Sequence, residues 1–493
     1  MKREGKMATN KTHYNLVYLM LCCTVAAFGG LLMGYDSSII SGAIEPLSTY
    51  FQLTPAETGW AVSCIMVSSL VGCLIAPKVC DHFGRKRSLA VTAVVFAVSI
   101  IGTALAHNFT AFILFRLVGG FAIGLACVIS PIYLAELSPS KYRGRTTALY
   151  SICCVGGQSV VMLTNFFISK SMTSEVLVDT GWRYILSSAL VPCAALLVFI
   201  AFIPESPRWS VFKGRDKEAM ATLGKISNPE HAKTVYGEIK ENIKVDPANI
   251  KGKLRLNKKT IPLLIIGIGL AIGNQLSGVN VIQYFGPTLM KNITTDNNTA
   301  MFMAFVLAFA QFLGVVVGMG LLDKVGRRKL LLWGALASTI CLAYSFGAFY
   351  LRFPGVYSVL GLFAFMFLFG ITWGQVIWTV LGEIFPMEIR SICVGISVCS
   401  LSVANFGVST TFPIMNSNPY LQEVFHGGFP LLLFSGFSLI MFFFTYRFVP
   451  ETANVPLERI EAIALRKFYG RDIEEDVQPI NAKIISNLGD GIK

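Results

Sequence analysis

Two opposite charges stand where charge is expensive. Asp36 lies in the apolar run 16–40 and Arg116 in the apolar run 110–133. An ionisable side chain in hydrocarbon costs several kcal/mol and marks function by default. If the two runs cross a bilayer in opposite senses, both side chains fall at one depth, in the outer half. Burial then opposes the charge on Asp36 while a neighbouring guanidinium favours it. A carboxylate balanced in this way can take up a proton when a conformational change withdraws the arginine. The alternative is a structural ion pair that ties the two helices together.

A second group of residues is uncharged. Asn274, Gln275, Asn280 and Tyr284 share the window 261–287, at spacings that let a broad helix face point them into one cavity. Gln158 lies in 146–169, Gly374, Gln375 and Trp378 in 356–382, and Asn405 in 391–414. Amides both donate and accept hydrogen bonds, as hydroxyl groups do, and aromatic faces cover apolar C–H surface. An unsatisfied amide in hydrocarbon is costly, so this many point to a wet chamber suited to a neutral polyhydroxylated solute. The alternative is hydrogen bonding between membrane helices. Trp373 reads as packing or gate rather than ligand.

These residues need a membrane to position them. The chain has 493 residues, 54% apolar and 14% charged, with a mean hydropathy of +0.62. Soluble domains carry about 25% charged residues, too many for this composition. Windows of about 20 residues, enough to cross a bilayer, fall at 16–40, 58–77, 89–106, 110–133, 146–169 and 184–203, then at 261–287, 301–322, 330–350, 356–382, 391–414 and 428–448. Assigning both termini and every even-to-odd connection to one side collects 36 of the 41 Lys and Arg residues there. Lys170, Arg183, Lys291 and Arg352 fall on the other side, and Arg116 inside a span. The asymmetry predicts cytoplasmic termini.

Several classes are excluded. The net charge of +13 is spread over many loops, without a basic domain or stacking module for nucleic acid. The first apolar run is too long for a signal-peptide core and is expected to be a retained helix. The 12 cysteines lie in or at the edges of spans without metal-type spacing, which predicts free thiols and no metal or cofactor. All 5 histidines lie in or near loops, which leaves no nucleophile–base pair for a membrane-embedded enzyme.

The chain repeats itself. Asp81-His-Phe-Gly84-Arg85-Lys86-Arg87 matches Asp323-Lys-Val-Gly326-Arg327-Arg328-Lys329, Glu136 and Arg143 recur as Glu383 and Arg390, and Pro204-Glu205-Ser206 recurs as Pro450-Glu451-Thr452. Nearly constant offsets indicate a duplicated unit. The expected organisation is a cytoplasmic N-terminus (1–15), a six-helix bundle (16–209), a linker with short helices (210–260), a second bundle (261–449) and a cytoplasmic tail (450–493). Two parallel repeats enclosing a midplane site describe a rocking transporter.

The motifs together resemble the sugar porter family of the major facilitator superfamily. They are Gly34-Tyr35-Asp36, the two loops at 81–87 and 323–329, Pro131-Ile-Tyr-Leu-Ala-Glu136 with Arg143-Gly-Arg145, Pro204-Glu-Ser-Pro-Arg-Trp209, Gln275-Leu-Ser-Gly-Val-Asn280 and Pro450-Glu-Thr452. The resemblance implies an all-α membrane protein of twelve helices in two pseudo-symmetric bundles, working as a monomer in the cell membrane. It implies inward transport of a monosaccharide or related polyol by proton symport. A facilitative uniporter, a sugar sensor and a carrier of another solute class are the competing readings. Asp36 stands where symporters of the family carry an aspartate. Asp81, Arg85, Glu136, Arg143 and Glu205, with Asp323, Arg327, Glu383, Arg390 and Glu451, are implied to form a cytoplasmic ion-pair lattice that closes the inside of the outward-facing state. Departures include Asn274-Gln275 where a glutamine pair is frequent, Gln375 where proline is frequent, Leu401-Ser402 where a polar residue and Trp are frequent, and Ala189 where some symporters have glutamate.

Overall fold

The computed structural model describes residues 14–139, 142–244, 259–353, 355–386, 389–453, 455 and 457–469. Among them, twelve helices are long and apolar enough to cross a membrane: α1 (Leu16–Phe51), α2 (Pro55–Phe83), α3 (Arg85–Ala104), α4 (Phe109–Leu137), α5 (Ala148–Lys170), α6 (Ser174–Phe202), α7 (Thr260–Tyr284), α8 (Asn297–Leu322), α9 (Arg327–Tyr350), α10 (Tyr357–Ile384), α11 (Ile392–Asn416) and α12 (Phe429–Phe448). The only β pairing among the described residues is an isolated bridge between Tyr14 and Ser227. Three short helices, Pro207–Phe212, Asp216–Ile226 and Pro229–Lys244, follow α6 in the segment read as the linker.

The helices begin where capping chemistry allows. Thr54 and Glu57 form a reciprocal capping box ahead of α2, Asn108 caps α4, and Asp296 accepts from Asn298 and Thr299 at the start of α8. Their ends differ from the hydropathy windows. α1 runs to Phe51, because Ala43, Ile44 and Leu47 continue the buried face past residue 40. Asp36 therefore sits just past the midpoint of α1, still on its outer side, and Glu45 joins the helix as a third ionisable residue. α6 starts ten residues before its window and opens through a π-helical turn at Leu177–Gly181. α7 and α10 are each broken: Gly278 has φ 80° between Thr260–Leu276 and Val279–Tyr284, and Thr372 separates Gly355–Ile371 from Trp373–Ile384.

Packing repeats with the sequence. α1 lies on α5, α2 on α4 and α3 on both α4 and α6; six helices later, α7 lies on α11, α8 on α10 and α9 on both α10 and α12. The two sets of six meet along α2–α11 and α5–α8, and α1 also touches the second piece of α7. The turns Gly84 and Gly326, with φ of 90° and 95°, occupy equivalent places, and a β-carbon there would strike the carboxylates of Glu205 and Glu451 respectively. Glycine is required at both by backbone conformation and by space.

Candidate functional site

α1 and α4 bring Asp36 and Arg116 together, at the common depth their order in the chain requires. One guanidinium nitrogen, Nη1, lies 3.4 Å from Oδ1 and 3.5 Å from Oδ2 of Asp36. Both residues are buried, and Asp36 is the one buried carboxylate among the described residues. The contact is long against about 2.8 Å for a strong charge-assisted hydrogen bond. Nε and Nη2 of Arg116 are buried without a hydrogen-bond partner among the described residues. Such a loosely held pair can part without first breaking a bidentate clamp.

The amides line the junction of the two halves. In α7, Gln275 Nε2 donates to Asn274 Oδ1 at 3.0 Å and Asn280 Nδ2 donates to Gln275 Oε1 at 2.5 Å. The turn at Gly278 folds the second piece of α7 so that Asn280 faces back toward Gln275. Asn405 of α11 donates to the Tyr284 hydroxyl at 3.4 Å and accepts from Ser409 at 3.0 Å. Gln158 of α5 exchanges two 3.0 Å hydrogen bonds with Gln283, whose Nε2 also donates to Gln311 of α8. Gln283 and Gln311 were not among the candidates read from the sequence. Their signal was available, since each is an amide in an apolar window, and Gln283 follows Asn280 by three residues.

α10 contributes less uniformly. Gly374 and Trp378 lie on its second piece, and Trp378 is half exposed. Gln375 turns instead to the backbone carbonyl of Val315 in α8, away from the α7 amides. Trp373 is buried and donates from Nε1 to the Leu331 carbonyl at 2.9 Å, a packing role.

The charged loops assemble on the face that carries the basic residues. Arg85 Nη2 reaches Glu136 at 2.8 Å and Nη1 reaches Asp81 at 3.5 Å, while Glu205 accepts from the backbone N–H groups of Arg85 and Lys86 at 2.8 and 3.0 Å. The second half repeats this: Arg327 Nη2 reaches Glu383 at 3.2 Å, and Glu451 accepts from the N–H groups of Arg327 and Arg328 at 2.8 and 3.2 Å. Arg390 donates from Nε to the Phe385 carbonyl at 3.1 Å. The side chains of Arg143 and Asp323 lie outside the described residues. The pairs of Arg85 with Asp81 and Glu136 and of Arg327 with Glu383 each lie within one half.

Contacts between halves gather on the opposite face and at mid-depth. Lys291 pairs with Glu45, Asn297 Nδ2 donates to Ser169 at 2.9 Å, and the hydroxyls of Ser63 and Thr410 lie 2.8 Å apart. At mid-depth, Ser159 donates to the Ala308 carbonyl at 3.0 Å. The contacts on the opposite face fasten the two halves to each other there.

Residues 22–464 match the family described as sugar (and other) transporter. The chain belongs to that family. The D-xylose-proton symporter of Escherichia coli (strain K12) is 33% identical to this transporter over 479 residues, 92% of this chain and 97% of the symporter. Among solved structures, the inward-open conformation of the xylose transporter XylE from E. coli matches with a TM-score of 0.80 and 30% identity, over 89% of this chain and 98% of that one. The proton:xylose symporter XylE bound to 6-bromo-6-deoxy-D-glucose matches with a TM-score of 0.74 and 31% identity, over 91% and 99%. The transporter is thus a multi-pass membrane protein of the major facilitator fold.

Proposed function

We propose that the transporter carries a monosaccharide, a pentose or hexose, into the cell together with a proton by alternating access. The observation that carries this reading is the combination of one buried, loosely paired carboxylate, Asp36, with an uncharged cluster of amides at the junction of the two halves. A D-xylose-proton symporter that aligns along nearly the whole chain supports the same pairing of solute and ion.

The steps follow from the geometry. Asp36 takes a proton from the outer phase, which cancels its attraction for Arg116 and removes a buried negative charge. The solute exchanges hydrogen bonds with Gln275, Asn280, Asn274 and Gln158, each able to donate and accept, while Trp378 covers its apolar face. Closure of the second piece of α7 and of the segment that follows it against α1 seals the outer face, a step supported by the pairing of Lys291 with Glu45. Asp81, Arg85, Glu136, Arg143 and Glu205, with Asp323, Arg327, Glu383, Arg390 and Glu451, hold the cytoplasmic face shut in the outward-facing state and release it in the inward-facing one. The match to the inward-open relative supports an inward-facing assignment. Gly374, Tyr284 and Asn405 complete the chamber wall, whereas Gln375, held by Val315, serves the α8–α10 contact. Both termini lie in the cytoplasm, where 36 of the 41 basic residues then fall.

The test is uptake into proteoliposomes. Counterflow of D-xylose, L-arabinose or D-glucose without an ion gradient reports the solute site, and accumulation driven by an imposed pH gradient reports coupling. Movement without accumulation would make the protein a uniporter. No movement of any monosaccharide would overturn the proposal.

A further inference from the structure

Sulfur atoms from three helices converge inside the first half. Cys73 of α2 donates from Sγ to the Gly124 carbonyl of α4 at 3.4 Å, and a β-carbon on Gly124 would lie 2.9 Å from the Cys73 backbone nitrogen. This close approach of α2 and α4 sets Cys73 beside Cys127, one turn further along α4, and the two thiols hydrogen-bond to each other. Cys127 Sγ also donates to the Met33 thioether of α1 at 3.2 Å, and the Tyr150 hydroxyl reaches the same Sδ at 3.3 Å. Met33, Cys73 and Cys127 are each half-buried, and neither cysteine is in a disulfide.

We propose that Met33, Cys73 and Cys127 bind one soft monovalent cation, Cu(I) or its analogue Ag(I), through their sulfur atoms. Thiolate and thioether ligands select such ions over harder ones. Zinc fits the set less well, because it takes four ligands drawn from thiolate, imidazole and carboxylate. Among the described residues no three His, Cys, Asp or Glu side chains gather to hold a metal, so the third bond to this thiol pair falls to the thioether. Each thiol releases its proton to solvent as its bond to the metal forms, and no electron moves. Two protons leave for one positive charge, so the loaded site carries one negative charge, which the Tyr150 O–H can turn to meet. Spacing along the chain gives no sign of this site, since its ligands come from α1, α2 and α4. Met33 lies one turn before Asp36 in α1, so an ion held here ties that stretch of α1 to α2 and α4.

Anaerobic titration of the full-length, reduced protein in detergent with Cu(I) buffered by bicinchoninate, a chelator that outcompetes single thiols, tests this. One ion per chain should be retained, with three sulfur neighbours in X-ray absorption. Cys73→Ser and Cys127→Ser should each abolish retention. Cys193→Ser, which alters a thiol bonded to the Ala93 carbonyl elsewhere in this half, should leave it intact. Met33→Leu should weaken binding by at least about 10–100-fold, the loss that an outer-shell change alone produces, and leave two sulfur neighbours. Being close in volume to methionine, leucine also covers the case in which the serine variants do not fold. No ion retained by the reduced unsubstituted protein overturns the inference, as does an ion that both Cys73→Ser and Cys127→Ser keep. Retention lost to the same extent in Cys193→Ser overturns it as well. The transport reading stands or falls separately from all of these outcomes.

Discussion

At the scale of single residues, the decisive group is Asp36. Replacing it with asparagine keeps size and hydrogen bonding but removes the titrating proton. Asp36→Asn is expected to retain counterflow and to lose accumulation under a pH gradient; pH-driven accumulation equal to that of the unsubstituted protein would remove Asp36 from the coupling step. A second substitution addresses the solute. Asn280→Ala removes the donor to Gln275 and one solute contact, about 1–3 kcal/mol for a buried hydrogen bond lost from one side, so half-saturation in counterflow should rise about tenfold or more with little change in maximal rate. These residues were legible in the sequence for one reason: a polar side chain in an apolar window has no bland explanation as strong as a functional one. What was not legible is partnership. Gln158 and Gln375 are both amides in apolar windows, yet one meets Gln283 and the other is taken up by the carbonyl of Val315. Which amide faces which depends on helix rotation, and rotation is set by packing against neighbours rather than by spacing along one helix.

At the scale of elements, the twelve spans could be read from hydropathy, but their interruptions could not. The breaks at Gly278 and Thr372 lie inside continuous apolar windows, where a hydropathy average does not respond to backbone dihedrals. The second piece of α7 lies against α1, and seven residues past its end Lys291 pairs with Glu45 of α1. Glu45→Gln or Lys291→Gln should weaken this outer closure and raise hydrogen exchange in residues 279–290, whereas the exchanged pair Glu45→Lys with Lys291→Glu should restore protection. A half-exposed ion pair contributes about 1 kcal/mol or less, so exchange in that segment should rise by no more than about fivefold. The helix Leu457–Tyr469 after α12 offers a test by pH. Burial first, then Arg328 and Arg447, push the Lys467 amine from 10.5 to about 8, and its Nζ donates to the Val449 carbonyl. The undocked helix therefore binds a proton more tightly than the docked one between these values. Docking should be weakest below pH 8 and should strengthen as pH rises from 8 toward 10.5. Protease cleavage ahead of residue 457 should slow over that range, and Lys467→Met should abolish the dependence.

At the scale of the whole molecule, the proton group belongs to α1 and α4 while most of the solute amides belong to α7 and α11. Of the proposed solute contacts only Gln158 shares a half with Asp36, so coupling is expected to be a property of the relative motion of the two halves. The two sets of six helices pack alike, the architecture in which such motion is expected as rigid-body rocking of one set against the other. The number of protons follows from the burial pattern. Asp36 is the one buried carboxylate among the described residues, and Glu45 is solvent-accessible and paired on the outer face. With Asp36 as the coupling site proposed above, one proton is expected per neutral solute, hence one charge moved per cycle. A charge crossing 100 mV is worth about 2.3 kcal/mol, and each tenfold of accumulation needs about 1.4 kcal/mol. The steady-state ratio of solute inside to outside should therefore rise tenfold for about each 60 mV of imposed potential at constant pH, reaching about 50-fold at 100 mV. Vesicles clamped at a series of potassium diffusion potentials give this slope directly. Tenfold per about 30 mV would require a second titrating group, and a flat line would mean that solute crosses without charge. The outcome does not depend on which monosaccharide is carried, since the slope is set by charge and not by affinity.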